Sequence, residues 1–247
     1  MSRLSEILTS FPLSLAVVLG VGAAALLVIP GTGWLRMSAA EEAAVSLPLP
    51  AAPEPPAQGP QVAVLAGGCF WGVQAVFQHV KGVQNAVSGY SGGEANTAHY
   101  DQVGSGRTGH AEAVEITFDP KQISYGQILR IFFSVVHDPT QLDRQGPDSG
   151  PQYRSAIFPT NAAQQQVAQA YLAQLEAARA FKKKLATRIE PSKKFYPAEG
   201  YHQDYLLLHP REPYIVYNDL PKVDNLRRHF GDVWREAPVT VASNRAK

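Results

Sequence analysis

The chain of 247 residues has one cysteine, Cys69, and almost no charge imbalance, with 22 Lys and Arg against 21 Asp and Glu. A single thiol closes no intrachain disulfide, builds no cysteine-based zinc site and forms no redox Cys-x-x-Cys pair. A net charge of +1 leaves no broad cationic footprint of the kind that displaces counterions from phosphates, so nucleic acid is not expected as a partner. Charge is also missing locally: none occurs from Ile7 to Leu35. No internal repeat of useful length is present.

What remains divides by composition. The most apolar stretch, Phe11 to Ile29, is 19 residues long, about the length that crosses a hydrocarbon core as a helix. Residues 1–40 are therefore expected to form a membrane-targeting segment. It is either an uncleaved N-terminal anchor or an exported signal cleaved near Ser38-Ala39-Ala40, and both place the protein outside the cytoplasm. Residues 41–60 read as a linker, because Pro48 to Pro60 holds six prolines and one charge, a composition that favours an extended, semi-rigid spacer. Residues 61–247 then form one domain. Its 187 residues carry 20 basic and 17 acidic side chains, and a chain of that size buries a proper core.

Hydrophobic periodicity within that domain alternates strand and helix. Val62 to Ala66 reads as a buried strand broken by Gly67-Gly68. Phe70, Val73, Phe77 and Val80 make a helical stripe, with Gly82 expected as its C-terminal cap. Val83 to Tyr90 reads as a strand, followed by a glycine-rich polar loop to Gly109. Val114, Ile116 and Phe118 alternate with Glu115 and Thr117, the period-2 mark of a half-buried strand. Ser124 and Gln127 form a capping box that opens an apolar helix running to about Val136. A long loop, 137–152, precedes a strand near Tyr153 to Phe158, and Pro159-Thr160 start another helix. The order β-α-β-β-α-β-α predicts an α/β (α+β) two-layer sandwich with a ferredoxin-like core. The last 50 residues are expected to wrap that core as largely irregular structure.

Gly67-Gly68-Cys69-Phe70-Trp71-Gly72 places the thiol between a strand end and the first turn of a helix. Free N–H groups and the helix dipole there favour a thiolate and lower the cysteine pKa. The two glycines leave room for another molecule to approach the sulfur, and the adjacent aromatics offer a pocket wall. An inert buried cysteine is the alternative reading.

Gly104-Ser105-Gly106-Arg107-Thr108-Gly109 matches G-x-G-x-x-G, but a strand rather than a helix follows it and no acidic residue lies at the required distance, so no dinucleotide is expected. His110-Ala111-Glu112 matches the H-x-E of zinc deaminases without their P-C-x-x-C. His110 is read as a structural hydrogen-bonding residue, and no metal site is expected. Glu112 shares parity with Val114, Ile116 and Phe118, which directs its carboxyl to the buried side of the sheet. A desolvated carboxyl holds its proton and serves as a general acid near neutral pH. An irregular strand start, leaving Glu112 in solvent or on a basic partner, is the competing reading.

With these motifs in hand, residues 62 to about 234 resemble the A-type peptide methionine sulfoxide reductases. The resemblance is carried by Gly68-Cys69-Phe70-Trp71-Gly72, Gly89-Tyr90-Ser91-Gly92-Gly93, Thr108-Gly109-His110-Ala111-Glu112, the loop from His137 to Gln152-Tyr153-Arg154-Ser155, and Tyr201-His202-Gln203-Asp204-Tyr205. It implies that Cys69 attacks the sulfur of a methionine S-sulfoxide, in proteins or peptides or as the free amino acid. Phe70 and Trp71 would hold the substrate methyl group. Glu112 would protonate the sulfoxide oxygen, with hydrogen bonds from Tyr100 and Tyr153, and Asp148 would orient the site. Cys69 then becomes a sulfenic acid, and no bound cofactor is implied.

Two departures from the family pattern matter. Many members carry resolving cysteines near the C terminus, and 201–247 has none, so the reductant is expected to be an external thiol: thioredoxin, glutaredoxin, glutathione or, in vitro, dithiothreitol. Position 74 is Gln where many relatives have Glu, a change expected to act on packing or substrate approach. The expected protein is a monomer that repairs oxidised methionines of envelope proteins. The rival expectations are a non-catalytic module that binds oxidised methionine peptides, or another cysteine-nucleophile enzyme such as a thiol peroxidase or acyl transferase.

Overall fold

The computed structural model describes residues 44–245 apart from Ala57 and Ser192, so the apolar run over 11–29 lies outside the described residues. In chain order the first elements are β1 (Gln61–Gly67), α1 (Phe70–Gln78), β2 (Val83–Ser91), the short α2 (Tyr100–Val103), β3 (Ala111–Phe118) and α3 (Tyr125–Ile131). Next come the two-residue strands β4 (Arg144–Gln145) and β5 (Asp148–Ser149), then β6 (Ser155–Phe158) and α4 (Ala162–Ala177). The C-terminal part carries β7 (Arg188–Ile189), β8 (Tyr196–Pro197), α5 (Tyr205–Leu208), α6 (Leu220–His229) and α7 (Val241–Arg245). That part is mostly loop, as expected, although α6 is a regular helix of ten residues.

The main sheet has the order β7-β6-β1-β3-β2-β8. Its four long strands are antiparallel neighbours in the order β6-β1-β3-β2, the ferredoxin-like arrangement. Period-2 alternation sorts the two faces. Ala63, Leu65, Val114, Ile116 and Phe118 join α1, α3 and α4 in the main core, whereas Val64, Ala66, Ala111 and Ala113 form a smaller cluster on the opposite face.

The local signals act as their chemistry requires. Ser124 Oγ accepts from Gln127 N and Gln127 Oε1 accepts from Ser124 N, so both halves of the capping box form. The helix after it widens into a π-helical turn over Phe132–Val136 rather than running on as α-helix. Helix α1 ends at Gln78, four residues before Gly82. Gly82 instead turns the chain into β2 with φ +87°, and a Cβ there would lie 2.7 Å from Ile123.

The proline-rich stretch is extended but is held along the body. Val45 N donates to Ser134 O, Arg130 Nε to Leu47 O, Tyr171 OH to Pro48 O, and the Gln174 side chain pairs with Ala51 N and Leu49 O. Glu54 accepts from Tyr125 N at 2.9 Å and Gly126 N at 2.7 Å, the first free donors of α3. An extended backbone satisfies none of its own groups, which leaves its carbonyls available to these side chains.

Sheet topology positions the site. The C-terminal end of β1 and the N-terminal ends of β3 and β6 share one end of the sheet, with Leu65 opposite Val114 and Gly67 opposite Ser155. Cys69, Glu112 and Tyr153 therefore converge there from widely separated parts of the sequence.

Candidate active site

Cys69 is the N-cap of α1, at the point where β1 gives way to the helix. The glycines before it do not leave open space. Phe132 and His137 pack against Gly67, and Gln145 lies so close to Gly68 that a Cβ there would sit 2.5 Å from its side chain, at a φ of +94°. The expected room for an incoming molecule is filled by the chain itself, because the 132–145 segment folds over this end of the sheet.

Cys69 is buried, 7% exposed. Burial, the Asp219 carboxylate and the Glu112 carboxylate push the thiol well above its ordinary value, and the Trp71 N–H and Lys222 ammonium offset only part of this. The expected thiolate-favouring helix N-terminus is thus outweighed. Desolvation penalises the anion more than the one backbone donor relieves it.

Glu112 is 3% exposed and lies on the core face of β3, as its parity predicts. Its Oε2 accepts from Phe70 N at 3.0 Å, which ties the carboxyl to the residue after Cys69. Burial pushes it up to about 8 against the Phe70 N–H bond, with Asp148 and Asp219 adding to the rise. A neutral carboxyl is therefore present at pH 7 beside the thiol. Tyr100 is pushed up to about 12, first by burial and then by Glu112 and Cys69. Burial likewise raises Tyr153, followed by Glu112 and Asp148. Both phenols remain donors in the field of Glu112.

Each of these groups has support from outside its own element. Glu199 accepts from Tyr100 N at 3.0 Å and from Tyr90 OH at 2.8 Å. Arg154 pairs with Glu190 at 2.7 Å and donates to Gly109 O and Pro151 O, fixing the loop that carries Tyr153. Asp148 accepts a hydrogen bond from Tyr214 OH. Its carboxyl is raised by burial and lowered by Tyr214 and Lys222.

The two expected substrate-holding aromatics differ in exposure. Phe70 is 1% exposed and packs on Tyr90 and His202, so it backs the site from within. Trp71 is partly exposed, stacks on Tyr205 at 3.8 Å and donates from Nε1 to His202 Nδ1 at 3.2 Å. His110 accepts from Gly93 N through Nδ1 and lies 3.0 Å from Glu94 O through Nε2, the structural role read for it.

A cavity of about 60 Å3 beside the sulfur is lined by Cys69, Gln145, Asp148, Tyr214, Asn218 and Lys222, among others. That is roughly twice the share of one water in the liquid, room for the end of a single side chain. Larger cavities of about 380 and 750 Å3 lie away from the thiol. His202, Tyr205, Tyr214, Asp219 and Lys222 were not singled out by sequence reasoning. His202 and Tyr205 fall in a quoted family block, whereas the other three carry no periodic or spacing signal.

Comparison with known proteins points to one family. Residues 61–233 match the family model described as peptide methionine sulfoxide reductase. Peptide methionine sulfoxide reductase MsrA 2 of Mesorhizobium japonicum is 60% identical over 190 residues, covering 77% of this chain and 97% of the relative. The protein of that name from Synechocystis is 53% identical over 176 residues, covering 71% of this chain and 82% of its own. Among solved structures, reduced Mxr1 of Saccharomyces cerevisiae is similar with a TM-score of 0.56 at 33% identity, covering 65% of this chain and 91% of its own. Methionine sulfoxide reductase A of Corynebacterium diphtheriae gives 0.53 at 29%, covering 70% and 91%.

Proposed function

The chain belongs to the peptide methionine sulfoxide reductase family, a Cys-dependent peptide-methionine (S)-S-oxide reductase regenerated by thiols, and we propose that Cys69 and Glu112 carry its chemistry. The observation that supports this most directly is the buried Glu112 carboxyl held 3.0 Å from Phe70 N, next to the chain's one thiol. The Cys69 sulfur attacks the sulfoxide sulfur while Glu112 delivers its proton to the sulfoxide oxygen, and the thiol proton restores Glu112. The S–O bond of the substrate and the sulfur–sulfur bond made by the attack both break as the oxygen passes to Cys69. Thiol and sulfoxide become sulfenic acid and thioether, so the protein sulfur is oxidised as the substrate is reduced. Tyr100 and Tyr153 donate hydrogen bonds to the oxygen, Asp148 fixed by Tyr214 orients the far wall, and Trp71 receives the methyl group.

Recycling consumes two external thiols, because this chain offers no second cysteine. The first displaces the hydroxyl as water and forms a mixed disulfide with Cys69, and the second releases Cys69 as a thiol. A protein dithiol of the thioredoxin or glutaredoxin kind, or glutathione, supplies them. We further propose that the enzyme is a monomer outside the cytoplasm, placed there by the apolar run over 11–29; membrane fractionation and N-terminal sequencing of the mature protein test this. For the chemistry, purified protein given methionine S-sulfoxide and dithiothreitol is expected to yield methionine, and Cys69→Ser to yield none. Turnover by Cys69→Ser at the wild-type rate would overturn the assignment.

A further inference from the structure

Asp219 and Lys222 are two buried charges beside the site to which the mechanism above gives no role. Asp219, at the end of a π-helical turn, is fully buried, and Lys222, in the first turn of α6, is 7% exposed. Lys222 Nζ lies 3.1 Å from Asp219 Oδ1. A Cβ on Gly72 would sit 2.2 Å from the same Oδ1, so the missing side chain at Gly72 admits the carboxylate against the first turn of α1, three residues from Cys69. Asp219 Oδ2 is buried without a hydrogen-bond partner. Lys222 lines the cavity beside Cys69 together with Asp148 and Tyr214. A buried ion pair contributes little net stability compared with apolar packing of the same volume, which turns attention to what the pair does to the sulfur.

We propose that Asp219 and Lys222 are positioning residues for Cys69: the Asp219 carboxylate keeps the resting sulfur protonated, and the Lys222 ammonium stabilises the anionic sulfur that attacks. Beside the burial that raises the thiol most and the Glu112 carboxylate that adds to it, the two fields act on the sulfur with opposite signs, Asp219 raising and Lys222 lowering its proton affinity. Oxidation of a thiol follows its thiolate character. A resting thiol held neutral in this way resists adventitious oxidants, which suits a chain with no resolving partner for its one cysteine.

The inference rests on Cys69 as the attacking sulfur, but its test reads ionisation and not turnover. The full chain is labelled with iodoacetamide between pH 6.5 and 9, and with one cysteine per chain the mass change reports Cys69 alone. Asp219→Asn is expected to label roughly tenfold faster than wild type at pH 7.5, Lys222→Met roughly fivefold or more slower, and Lys222→Arg near the wild-type rate. A merely structural pair predicts something else, since loosening the site around a buried sulfur speeds labelling in both variants. Shifts of the same sign, or rates unchanged within about twofold, would overturn the proposal. Should Lys222→Met not fold, the double variant Asp219→Asn/Lys222→Met removes both charges of the ion pair together and decides the matter. It must label at least about fivefold more slowly than Asp219→Asn alone, and equal rates overturn the proposal.

Discussion

Replacing Glu112 by Gln isolates the energetic consequence of burying an acid at the site. In the folded chain the carboxyl titrates at about 8, whereas its ordinary value is 4.5. A raised folded value means that the native state holds a proton that the unfolded chain releases. Its stability contribution is therefore complete below pH 4.5 and is lost as pH rises from 4.5 to about 8. Relative to the fully protonated state, the loss is about 1 kcal/mol at pH 5 and about 3 kcal/mol at pH 7, at 1.36 kcal/mol per unit of pH. Gln keeps an oxygen to accept from Phe70 N and does not ionise. The stability of Glu112→Gln minus that of wild type is accordingly expected to grow by about 2 kcal/mol between pH 5 and pH 7, with any constant cost of the amide cancelling in the difference.

Urea unfolding at the two pH values, followed by tryptophan fluorescence, measures this directly. With a slope of about 2–3 kcal/mol per molar for a domain of this size, the gap between the two midpoints is expected to widen by roughly 1 M from pH 5 to pH 7. The variant is expected to be inactive even as it gains stability. If the gap does not change with pH, Glu112 is already ionised in the native state at pH 7 and cannot be the proton donor.

Other expectations follow from the same reading. The rate of wild-type turnover is expected to fall above about pH 8, as Glu112 loses its proton, when kcat/KM is followed across pH. Gln74 Nε2 donates to Ala86 O and Gln203 Oε1, both at 2.9 Å, and its Oε1 accepts from Asp204 N. Gln74→Glu removes both donations from a buried network and is expected to cost about 2–4 kcal/mol in chemical denaturation. Glu54→Ala removes two bonds at the start of α3 and is expected to cost about 1 kcal/mol, a fall of roughly 2–4 °C in Tm by calorimetry.

Much of the fold was legible because its signals are local. The alternation in Val114, Ile116 and Phe118 places Glu112 on the core face of β3, and the Ser124–Gln127 box marks the start of α3. The order of elements implies the sheet order. What stayed hidden depends on distant packing. The proton affinity of Cys69 is set by burial under the 132–145 segment and by Asp219, 150 residues further along the chain, and a strand-to-helix junction carries no information about either. The space at Gly67 and Gly68 is likewise invisible in sequence, since a glycine marks close approach without saying what approaches. The proline-rich stretch has the composition of a spacer, yet its backbone meets donors on α3 and α4 that composition does not reveal.

The C-terminal segment changes most between the two views. Read from sequence it is a wrap without a thiol, defined by what it lacks. In the structure it supplies Glu199 to position Tyr100, His202 and Tyr205 to hold Trp71, Gln203 to meet Gln74, and Tyr214 to fix Asp148. These contacts explain why a segment without regular periodicity folds in one way: its order comes from side chains that satisfy buried polar groups of the core, not from a repeating backbone pattern. A tail that had to carry a resolving thiol to Cys69 would need to leave such contacts in every cycle. With that duty absent, the same stretch is free to act as a fixed wall. The lone cysteine and the polar network of the tail are thus two sides of one arrangement, in which a segment that carries no thiol orients the residues around Cys69.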